Sequence, residues 1–420
     1  MLKLMQKPAN IKLHNNRNSL MFIFEGIMII VIQNIANPFF SMFGKRLGAG
    51  DYEIGLLSSL PALIGVLAVI PGALISQKYS NKKKMIIMFI LSAGIMYPLA
   101  ALTPYTGGKH VYLYILTVSL INLPISIYTI LWQSYFSDVI PTDRRNNTYA
   151  RRSKFSNLFG MTSLTLSGFI LAYIPGNNSQ RITIYQIFFF TAFILAMLQA
   201  WFMSRVVYTS PPLQKNRIKP LLQLKESIKI IRNNKPFKSF ILTAFIFHVA
   251  WQMAWPLFFI YQVNFLNANE AWIGYLNVGT GLAGVLTYMI WSRMIEKKGA
   301  KFVIIIGAFG LALNPLLLVM SKTLLMALVC SISVGLVFSA FQLALFENLM
   351  DTVPQQNKTL NIAIYATFIN LSNFISPMIG VWIYKHSSIF FAMTLTCILR
   401  LVATFLFYIQ YRKSINKQSS

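Results

Sequence analysis

Residues 138–141 read Asp-Val-Ile-Pro, and residues 351–354, 213 positions further on, read Asp-Thr-Val-Pro. A second pair of segments has nearly the same separation, because residues 54–57 read Ile-Gly-Leu-Leu and residues 273–276 read Ile-Gly-Tyr-Leu. The separation is about half of the 420 residues, so the chain is predicted to consist of two related halves.

The composition excludes an ordinary soluble protein. Hydrophobic residues make up 56% of the chain and charged residues 11%, whereas a soluble domain has about 25% charged residues. Twelve apolar stretches reach the roughly 20 residues that a helix needs to cross a bilayer. The predicted fold is an all-α membrane protein with twelve transmembrane helices in two pseudo-symmetric six-helix halves, a duplication typical of secondary transporters. The predicted spans are residues 20–43, 54–76, 85–103, 111–137, 155–175, 182–204, 238–263, 271–292, 301–320, 323–346, 360–384 and 387–411.

The basic residues lie mainly on one side of the predicted membrane. The formal net charge is +27, and 30 of the 37 Lys and Arg residues fall in segments on the side of the N-terminus, against six on the other side. By the positive-inside rule, both termini are predicted to be cytoplasmic and the chain to lie in the cell membrane. This placement accounts for the basicity and argues against nucleic-acid binding.

A break separates the two predicted halves at residues 208–236. The segment contains four prolines and is rich in Lys and Arg, so it is predicted to be a basic cytoplasmic linker. Within it, residues 221–231 have the pattern of a short amphipathic helix on the inner membrane surface. The domain prediction is an N-terminal half of residues 1–207 and a C-terminal half of residues 237–420 that ends in a short basic tail.

The connection after the second predicted helix carries a motif that recurs in the second half. Residues 77–84 read Gln-Lys-Tyr-Ser-Asn-Lys-Lys-Lys, and residues 296–301 read Glu-Lys-Lys-Gly-Ala-Lys. With its spans and its duplication, the chain resembles the major facilitator superfamily, whose signature in this loop combines an acid, a glycine and basic residues. Glu296 and Gly299 match that signature, whereas Gln77 stands where the first half would carry the acid. The resemblance implies alternating access around a cavity lined by the first, fourth, seventh and tenth helices.

These four helices carry polar side chains at helical spacing. On the seventh helix His248, Trp251, Gln252 and Trp255 follow one another at i, i+3, i+4 and i+7, so they share one face. Two indoles, an amide and an imidazole on one face suit an amphiphilic organic ligand. Interhelical hydrogen bonding, and an interfacial position for Trp255, are the alternatives. The other cavity candidates are Gln33, Asn34 and Asn37 on the first helix, Asn122, Ser126 and Gln133 on the fourth, and Gln342 on the tenth.

Ionisable residues inside predicted spans are candidates for function because they are rare within membranes. Glu25 on the first helix is the first candidate for proton coupling, and His248 is the second. The alternative for Glu25 is an ion pair that acts as a gate or holds the fold. Arg400 in the twelfth span is expected to be a buried structural partner or to extend toward the membrane surface, with substrate contact as a further alternative.

Asp138 and Asp351 end the fourth and tenth predicted helices, and a helix-stopping proline follows each of them. The helix dipole disfavours a carboxylate at a helix C-terminus, so each should have a cationic partner. We therefore expect cytoplasmic gate ion pairs, in which Asp138 supplies the acid that Gln77 lacks. The expected partners of Asp138 are Arg144, Arg145, Arg151 and Arg152, and the remaining gate candidates are Glu296, Lys297 and Glu347.

The predicted function is secondary active transport of a small organic solute, neutral or weakly cationic, by alternating access with proton coupling and export. Uptake of a neutral solute such as a sugar or a peptide-like metabolite is the alternative. A non-transporting membrane sensor and a membrane-embedded enzyme are the alternatives from other classes. The expected partners are the lipid bilayer, the substrate and a proton or other coupling ion, with the chain acting as a monomer.

No enzymatic activity, nucleic-acid partner, cofactor or metal is expected. The sequence has no phosphate-binding loop of the type Gly-x-x-x-x-Gly-Lys-(Ser/Thr). Its two cysteines, Cys330 and Cys397, both fall in apolar spans and have neither a disulfide framework nor a metal-ligand spacing.

Overall fold

The computed structural model describes residues 8–78, 81–108, 110–207, 220–354, 356 and 358–416. Within these residues the regular structure is helical. Short 3₁₀ segments at Asn37–Phe39 and Thr103–Thr106 and a π segment at Tyr261–Phe265 continue three of the α-helices. The α-helices are α1 (Pro8–Ala36), α2 (Phe40–Arg46), α3 (Asp51–Lys78), α4 (Lys82–Leu102), α5 (His110–Leu120), α6 (Asn122–Val139), α7 (Thr142–Tyr173), α8 (Asn178–Ser204), α9 (Pro220–Asn233), α10 (Lys235–Ile260), α11 (Glu270–Lys298), α12 (Ala300–Val319), α13 (Leu324–Thr352), α14 (Lys358–His386) and α15 (Ile389–Asn416).

Twelve segments of the described residues are long and apolar enough to cross a membrane, which confirms the predicted all-α class and number of spans. The fourth of these spans, His110–Gln133, joins α5 and α6 across a break at Ile121. The short helix predicted at residues 221–231 is confirmed as part of α9. Residues 208–219 of the predicted linker lie outside the described residues.

Polar side chains cap the starts of several helices. The side-chain oxygens of Asn81, Asn177, Asn234 and Asn269 each accept a hydrogen bond from the backbone N–H three residues later, at 2.9–3.1 Å. Each bond satisfies an N–H that the first helical turn leaves unpaired. The caps therefore determine where α4, α8, α10 and α11 begin.

The chain forms two compact units. Unit 1 consists of Met1–Glu53 and Ile64–Lys215, and unit 2 consists of Ile54–Leu63 and Asn216–Ser420. In unit 1, α1 packs against α7 and α8, and α4 packs against α6 and α8. In unit 2, α11 packs on α13, α12 packs on α13 and α15, and α10 packs on α14 and α15.

Aromatic rings and glycines pack the interior of each unit. In unit 1, Phe43 contacts Tyr114 and Phe189, with ring centroids 5.1 and 5.4 Å apart. In unit 2, a Cβ at Gly335 of α13 would overlap the Thr280 carbonyl oxygen of α11, so the two backbones touch. Small residues at helix contacts are typical of membrane bundles, where van der Waals packing stabilises helix association.

Arg400 of α15 is fully buried in unit 2 and serves as a structural partner. Its Nη1 donates to the Leu311 carbonyl oxygen at 2.7 Å, and its Nη2 donates to the Trp251 carbonyl oxygen at 3.1 Å. Pro315 has no N–H, so it leaves the Leu311 carbonyl without its usual donor in α12. Arg400 thus supplies the donor that Pro315 cannot give to the Leu311 carbonyl of α12, and through the Trp251 carbonyl it also ties α15 to α10.

Candidate functional site

A buried carboxylate, Glu25 of α1, is the centre of a polar cluster in unit 1, and its side chain is 0% exposed. Its Oε1 accepts hydrogen bonds from the Tyr128 hydroxyl and from Gln199 Nε2, the latter at 2.9 Å. Its Oε2 accepts from Trp132 Nε1 at 3.1 Å and from Arg152 Nη2 at 3.2 Å, the second contact being an ion pair. These five residues, from α1, α6, α7 and α8, form the Glu25 cluster.

Local sequence explains how the Glu25 cluster assembles. Tyr128 and Trp132 are four residues apart on α6, so both side chains leave the same face of the helix. Arg152 crosses α1 at Gly26, where a Cβ would lie 2.6 Å from Arg152 Cγ. The guanidinium carbon of Arg152 lies 4.2 Å from the centre of the Trp132 ring, a cation–π contact that orients it.

The Glu25 cluster offsets the cost of burying a carboxylate. Moving an ion out of water into a protein costs several kcal/mol even after relaxation. Both oxygens of Glu25 act as acceptors here, and each receives two donors. A proton on either oxygen would face one of these donors, so protonation is expected to break at least one contact of the cluster.

We expect Gly26→Ala to displace Arg152 from Glu25, although neither charged residue is changed. The added methyl group would occupy the space of the Arg152 side chain and leave Glu25 without its cation. The expected loss of stability is about 3 kcal/mol, measured as a lower melting temperature of the purified protein. Gly108→Ala is the matched control, because a Cβ there meets no atom within 4 Å. Equal melting temperatures for the two variants would contradict this account.

Asp138 pairs with Lys82 at the start of α4. Lys82 Nζ lies 2.7 Å from Asp138 Oδ2, and both side chains are partly exposed. Gln77 lies in the last turn of α3, and Lys82 begins α4 after the short connection that follows, so Asp138 brings an acid beside a connection whose own motif lacks one. Arg152, expected among the partners of Asp138, instead contacts Glu25. The side chain of Arg145 lies outside the described residues.

The other predicted gate residues lie on exposed helix ends of unit 2. Glu296 and Lys297 are exposed in the last turn of α11. Glu347 and Asp351 are exposed near the end of α13. Their gate role stays a prediction.

In unit 2 the predicted polar face of α10 is divided between core and surface. His248 is 7% exposed, and its Nδ1 lies 2.8 Å from the Ala244 carbonyl oxygen. Trp251 is half-buried and packs against Phe341, with ring centroids 5.7 Å apart. Trp255 is 56% exposed. His248 is therefore enclosed in the aromatic core, whereas Trp251 keeps part of its surface accessible.

Gln252 of α10 has a partner that the sequence argument missed. Its Nε2 donates to Asn373 Oδ1 of α14 at 2.8 Å, and both side chains are half-buried. This bond uses one N–H of Gln252 and the carbonyl oxygen of Asn373. The two amides have further N–H donors and the Gln252 carbonyl oxygen with which to contact a ligand. The available signal for Asn373 was an amide in an apolar span, one of three asparagines in that span, on a helix outside the four that the resemblance singles out.

The remaining cavity candidates have mixed environments. Gln33 lines a small cavity inside unit 1. Asn34 Nδ2 donates to the Ile30 carbonyl oxygen of its own helix at 2.9 Å. Asn122 and Ser126 are half-buried on α6, and the exposed candidates are Asn37, Gln133 and Gln342.

Sequence reasoning also missed three members of the Glu25 cluster, namely Tyr128, Trp132 and Gln199. Aromatic residues in an apolar helix resemble core, so Tyr128 and Trp132 gave no distinct signal. Gln199 lies in the sixth predicted span, and an amide in such a span was the signal available.

The family profile described as Major Facilitator Superfamily matches residues 22–269 and again residues 240–420. An uncharacterized MFS-type transporter of Methanocaldococcus jannaschii is 22% identical over 364 residues, which cover 84% of this chain and 90% of that protein. The description of that protein names no substrate, so this similarity concerns the class of protein only.

Solved structures of membrane transporters have a similar fold. The nucleoside transporter NupG superposes with a TM-score of 0.68 at 11% identity, covering 95% of this chain and 99% of NupG. A bacterial homologue of the human lysosomal transporter Spinster, inward-facing and occupied, has a TM-score of 0.65 at 14% identity, covering 97% and 98% of the two chains. A D-xylose–proton symporter also has a TM-score of 0.65, at 15% identity, covering 94% and 96%. At these identities the likeness shows the fold alone.

Proposed function

The chain belongs to the major facilitator superfamily, and on that basis we propose that it is a proton-coupled secondary transporter of small neutral organic solutes. The family and the structural neighbours are transporters, which confirms the expectation that the protein is not an enzyme. The chain is a multi-pass membrane transporter. The coupling ion, the direction of transport and the substrate class are proposed.

The Glu25 cluster is the observation that carries the proposal of proton coupling. Glu25 is a buried carboxylate whose contacts suit the ionised form, with Arg152 as its cation. A proton on Glu25 would remove its attraction for Arg152 and bring a donor against a donor. The two protonation states would therefore favour different arrangements of α1 against α7, which is the property that coupling requires. His248, the second candidate, is enclosed by aromatic rings and is the weaker choice.

The proposed substrate class rests on the chemistry of α10 and α14. Trp251 offers part of an indole surface, and the amides of Gln252 and Asn373 offer neutral donors and acceptors. Such groups suit an uncharged solute with a ring and hydroxyl or carbonyl groups. Transporters named for a nucleoside and for D-xylose are among the structural neighbours, which fits this class. We propose export as the direction, with uptake as the alternative, and retain as further cavity candidates Gln33, Asn34, Asn37, Asn122, Ser126, Gln133, Trp255 and Gln342.

The proposed topology follows from the distribution of charge. We propose that both termini lie in the cytoplasm and the protein in the cell membrane, because Lys and Arg concentrate on one side of the spans. The proposed oligomeric state is a monomer. The ion pair of Lys82 and Asp138 then lies at the cytoplasmic end of unit 1, where it would form part of a gate that opens and closes during transport.

The substrate proposal is tested first by binding. Purified protein is screened by thermal shift against a panel of nucleosides, pentoses and hexoses, with organic cations and phosphorylated sugars as the contrasting classes. We expect a neutral compound to raise the melting temperature, and we expect Trp251→Ala to abolish that rise. A response confined to charged compounds would contradict the substrate class.

We expect Glu25→Gln to lower the pH-gradient-driven flux of that ligand in proteoliposomes at least tenfold. A tenfold change corresponds to about 1.4 kcal/mol in the free energy that couples the proton to the solute. The amide has nearly the shape of the carboxylate but takes up no proton. Gradients of both signs reveal whether the proton moves with the solute or against it. Glu226→Gln, at an exposed position of α9, is the control and is expected to keep the response. A flux that ignores the gradient in the unmodified protein would overturn the coupling.

A further inference from the structure

Unit 1 contains a small, partly open cavity beside the Glu25 cluster. It lies between α1, α4, α6 and α8, and its volume is about 20 Å³, counted as the space open to the centre of a water molecule. Most of its lining is aliphatic, but four polar side chains also face it, namely Gln33, Tyr97, Tyr128 and Gln199. Two of these four, Tyr128 and Gln199, donate hydrogen bonds to Glu25.

Besides the space itself, the buried hydroxyl group of Tyr97 indicates that this cavity holds a ligand. The Tyr97 side chain is 2% exposed, and its hydroxyl has no hydrogen-bond partner among the described residues. A buried hydroxyl without a partner is costly, and native proteins usually satisfy such a group with protein or with ordered water. The cavity therefore combines space with an unsatisfied donor.

The size and chemistry of the cavity fit one water molecule. A water needs about 10–15 Å³ of such space and two to four polar partners. Tyr97 can donate to the water. The Tyr128 oxygen, whose proton points to Glu25, can accept from it.

We propose that this cavity holds an ordered water between Tyr97 and Tyr128, and that this water is the last step by which a proton reaches Glu25. The proposal rests on the proposed function, and it names a route that proton coupling at Glu25 alone leaves open. Oε2 of Glu25 is covered by Arg152 and Trp132, so the route reaches Oε1. Gln33 also lines this cavity. It follows Glu25 by eight residues on α1, so the two backbone positions are about 12 Å apart along the helix axis.

The proton balance of this step is simple. An excess proton reaches the water from the side of Gln33, and the water passes one proton to the Tyr128 oxygen. Tyr128 gives its own hydroxyl proton to Oε1 of Glu25, so the water and Tyr128 end as they began and Glu25 gains one proton. Among the described residues, the titratable groups that face the route are Glu25 from α1, Tyr97 from α4, Tyr128 from α6 and Arg152 from α7, whereas α8 contributes the neutral Gln199.

Thermal stability tests whether the cavity is hydrated, without any need for a substrate. If water satisfies Tyr97, Tyr97→Phe removes a hydrogen bond and is expected to lower the melting temperature by about 1–2 °C. If the cavity is dry, the same change removes an unsatisfied hydroxyl, so the melting temperature rises and the proposal is overturned. Tyr114→Phe is the matched control, because the buried Tyr114 hydroxyl donates to the Phe40 carbonyl oxygen at 2.9 Å and its loss must destabilise.

The proton route itself is tested by a stopped-flow pH jump that follows tryptophan fluorescence. Trp132 donates to Glu25, so its emission is expected to report protonation of that carboxylate. The signal that belongs to Trp132 is found by subtracting the trace of Trp132→Phe. We expect Tyr97→Phe to slow this signal at least about tenfold, less than the ~10²-fold or more that a positioned acid or base contributes, because Tyr97 orients the water and does not itself pass the proton. Tyr114→Phe is expected to leave the rate unchanged.

The results of the pH-jump experiment distinguish failure of the water route from failure of Glu25 as the proton-binding residue. An unchanged rate in Tyr97→Phe, with a signal that Glu25→Gln abolishes, overturns the route and leaves proton binding at Glu25 standing. A signal that is absent from the unmodified protein, or that persists in Glu25→Gln, overturns Glu25 as the proton site. Ala93→Val fills part of the cavity while Tyr97 is kept, and it should slow the signal as Tyr97→Phe does.

Discussion

Arg400→Met is expected to lower the stability of the protein by about 3–5 kcal/mol, because it removes two hydrogen bonds from a charged donor, each of which contributes about 1.5–3 kcal/mol. Arg400 donates to the carbonyl oxygens of Leu311 and Trp251, and it contacts a third helical carbonyl at Ala250. Without the guanidinium, the Leu311 carbonyl has no donor in reach, since Pro315 cannot supply one. The measurement is the melting temperature of the purified protein, together with the fraction that elutes as a single species.

The explanation is tested by restoring the missing helical donor. In a Pro315→Ala background α12 can satisfy the Leu311 carbonyl itself, so Arg400→Met should cost about 1 kcal/mol less than it does alone. Arg412→Met, at an exposed position of the same helix, is the matched control and should change stability by less than about 0.5 kcal/mol. Full additivity of the Pro315 and Arg400 changes would show that Arg400 stabilises unit 2 by some other means.

Arg152→Leu is expected to cost about 3–5 kcal/mol, because it leaves Glu25 ionised and buried without its cation. The same change removes the cation–π contact with Trp132. The double variant Arg152→Leu with Glu25→Leu takes away both charges together, so it should recover much of that stability. It should nevertheless show no flux driven by a pH gradient, because no proton-binding carboxylate is left in the cluster.

Arg151→Leu provides the control for this series. Arg151 precedes Arg152 on α7 and has the same charge, but it is exposed, whereas Arg152 is mostly buried. We expect its melting temperature to stay close to that of the unmodified protein. If Arg152→Leu behaves as Arg151→Leu does, the ion pair with Glu25 does not stabilise unit 1.

The class of the fold could be read from the sequence because its signals are local. Each span is a run of apolar residues of bilayer length, and twelve such runs are confirmed in the described residues. Asparagines such as Asn81 and Asn234 mark helix starts that need no tertiary information. Glu25 was a candidate for the same reason, since an acid within an apolar run is visible in one helix alone.

The partners of Glu25 could not be read in this way. Tyr128, Arg152 and Gln199 lie 103, 127 and 174 residues away along the chain. Whether they meet Glu25 depends on the rotation and depth of α6, α7 and α8. Sequence proximity instead suggested that Arg152 would pair with Asp138, which the structure places against Lys82. Gln33 was expected to face a substrate, and it lines the cavity inside unit 1.

The sequence by itself therefore determined the membrane class, the number of spans and the asymmetry of charge, because hydrophobicity, length and composition belong to each segment alone. The tertiary structure decided which polar side chains meet. A buried carboxylate must find its donors in three dimensions, and the glycine at position 26, which lets Arg152 pass, has that meaning only when α1 and α7 are packed together. The same reason applies to Arg400, because its donor role depends on Pro315 in another helix and cannot be recognised from its own helix alone.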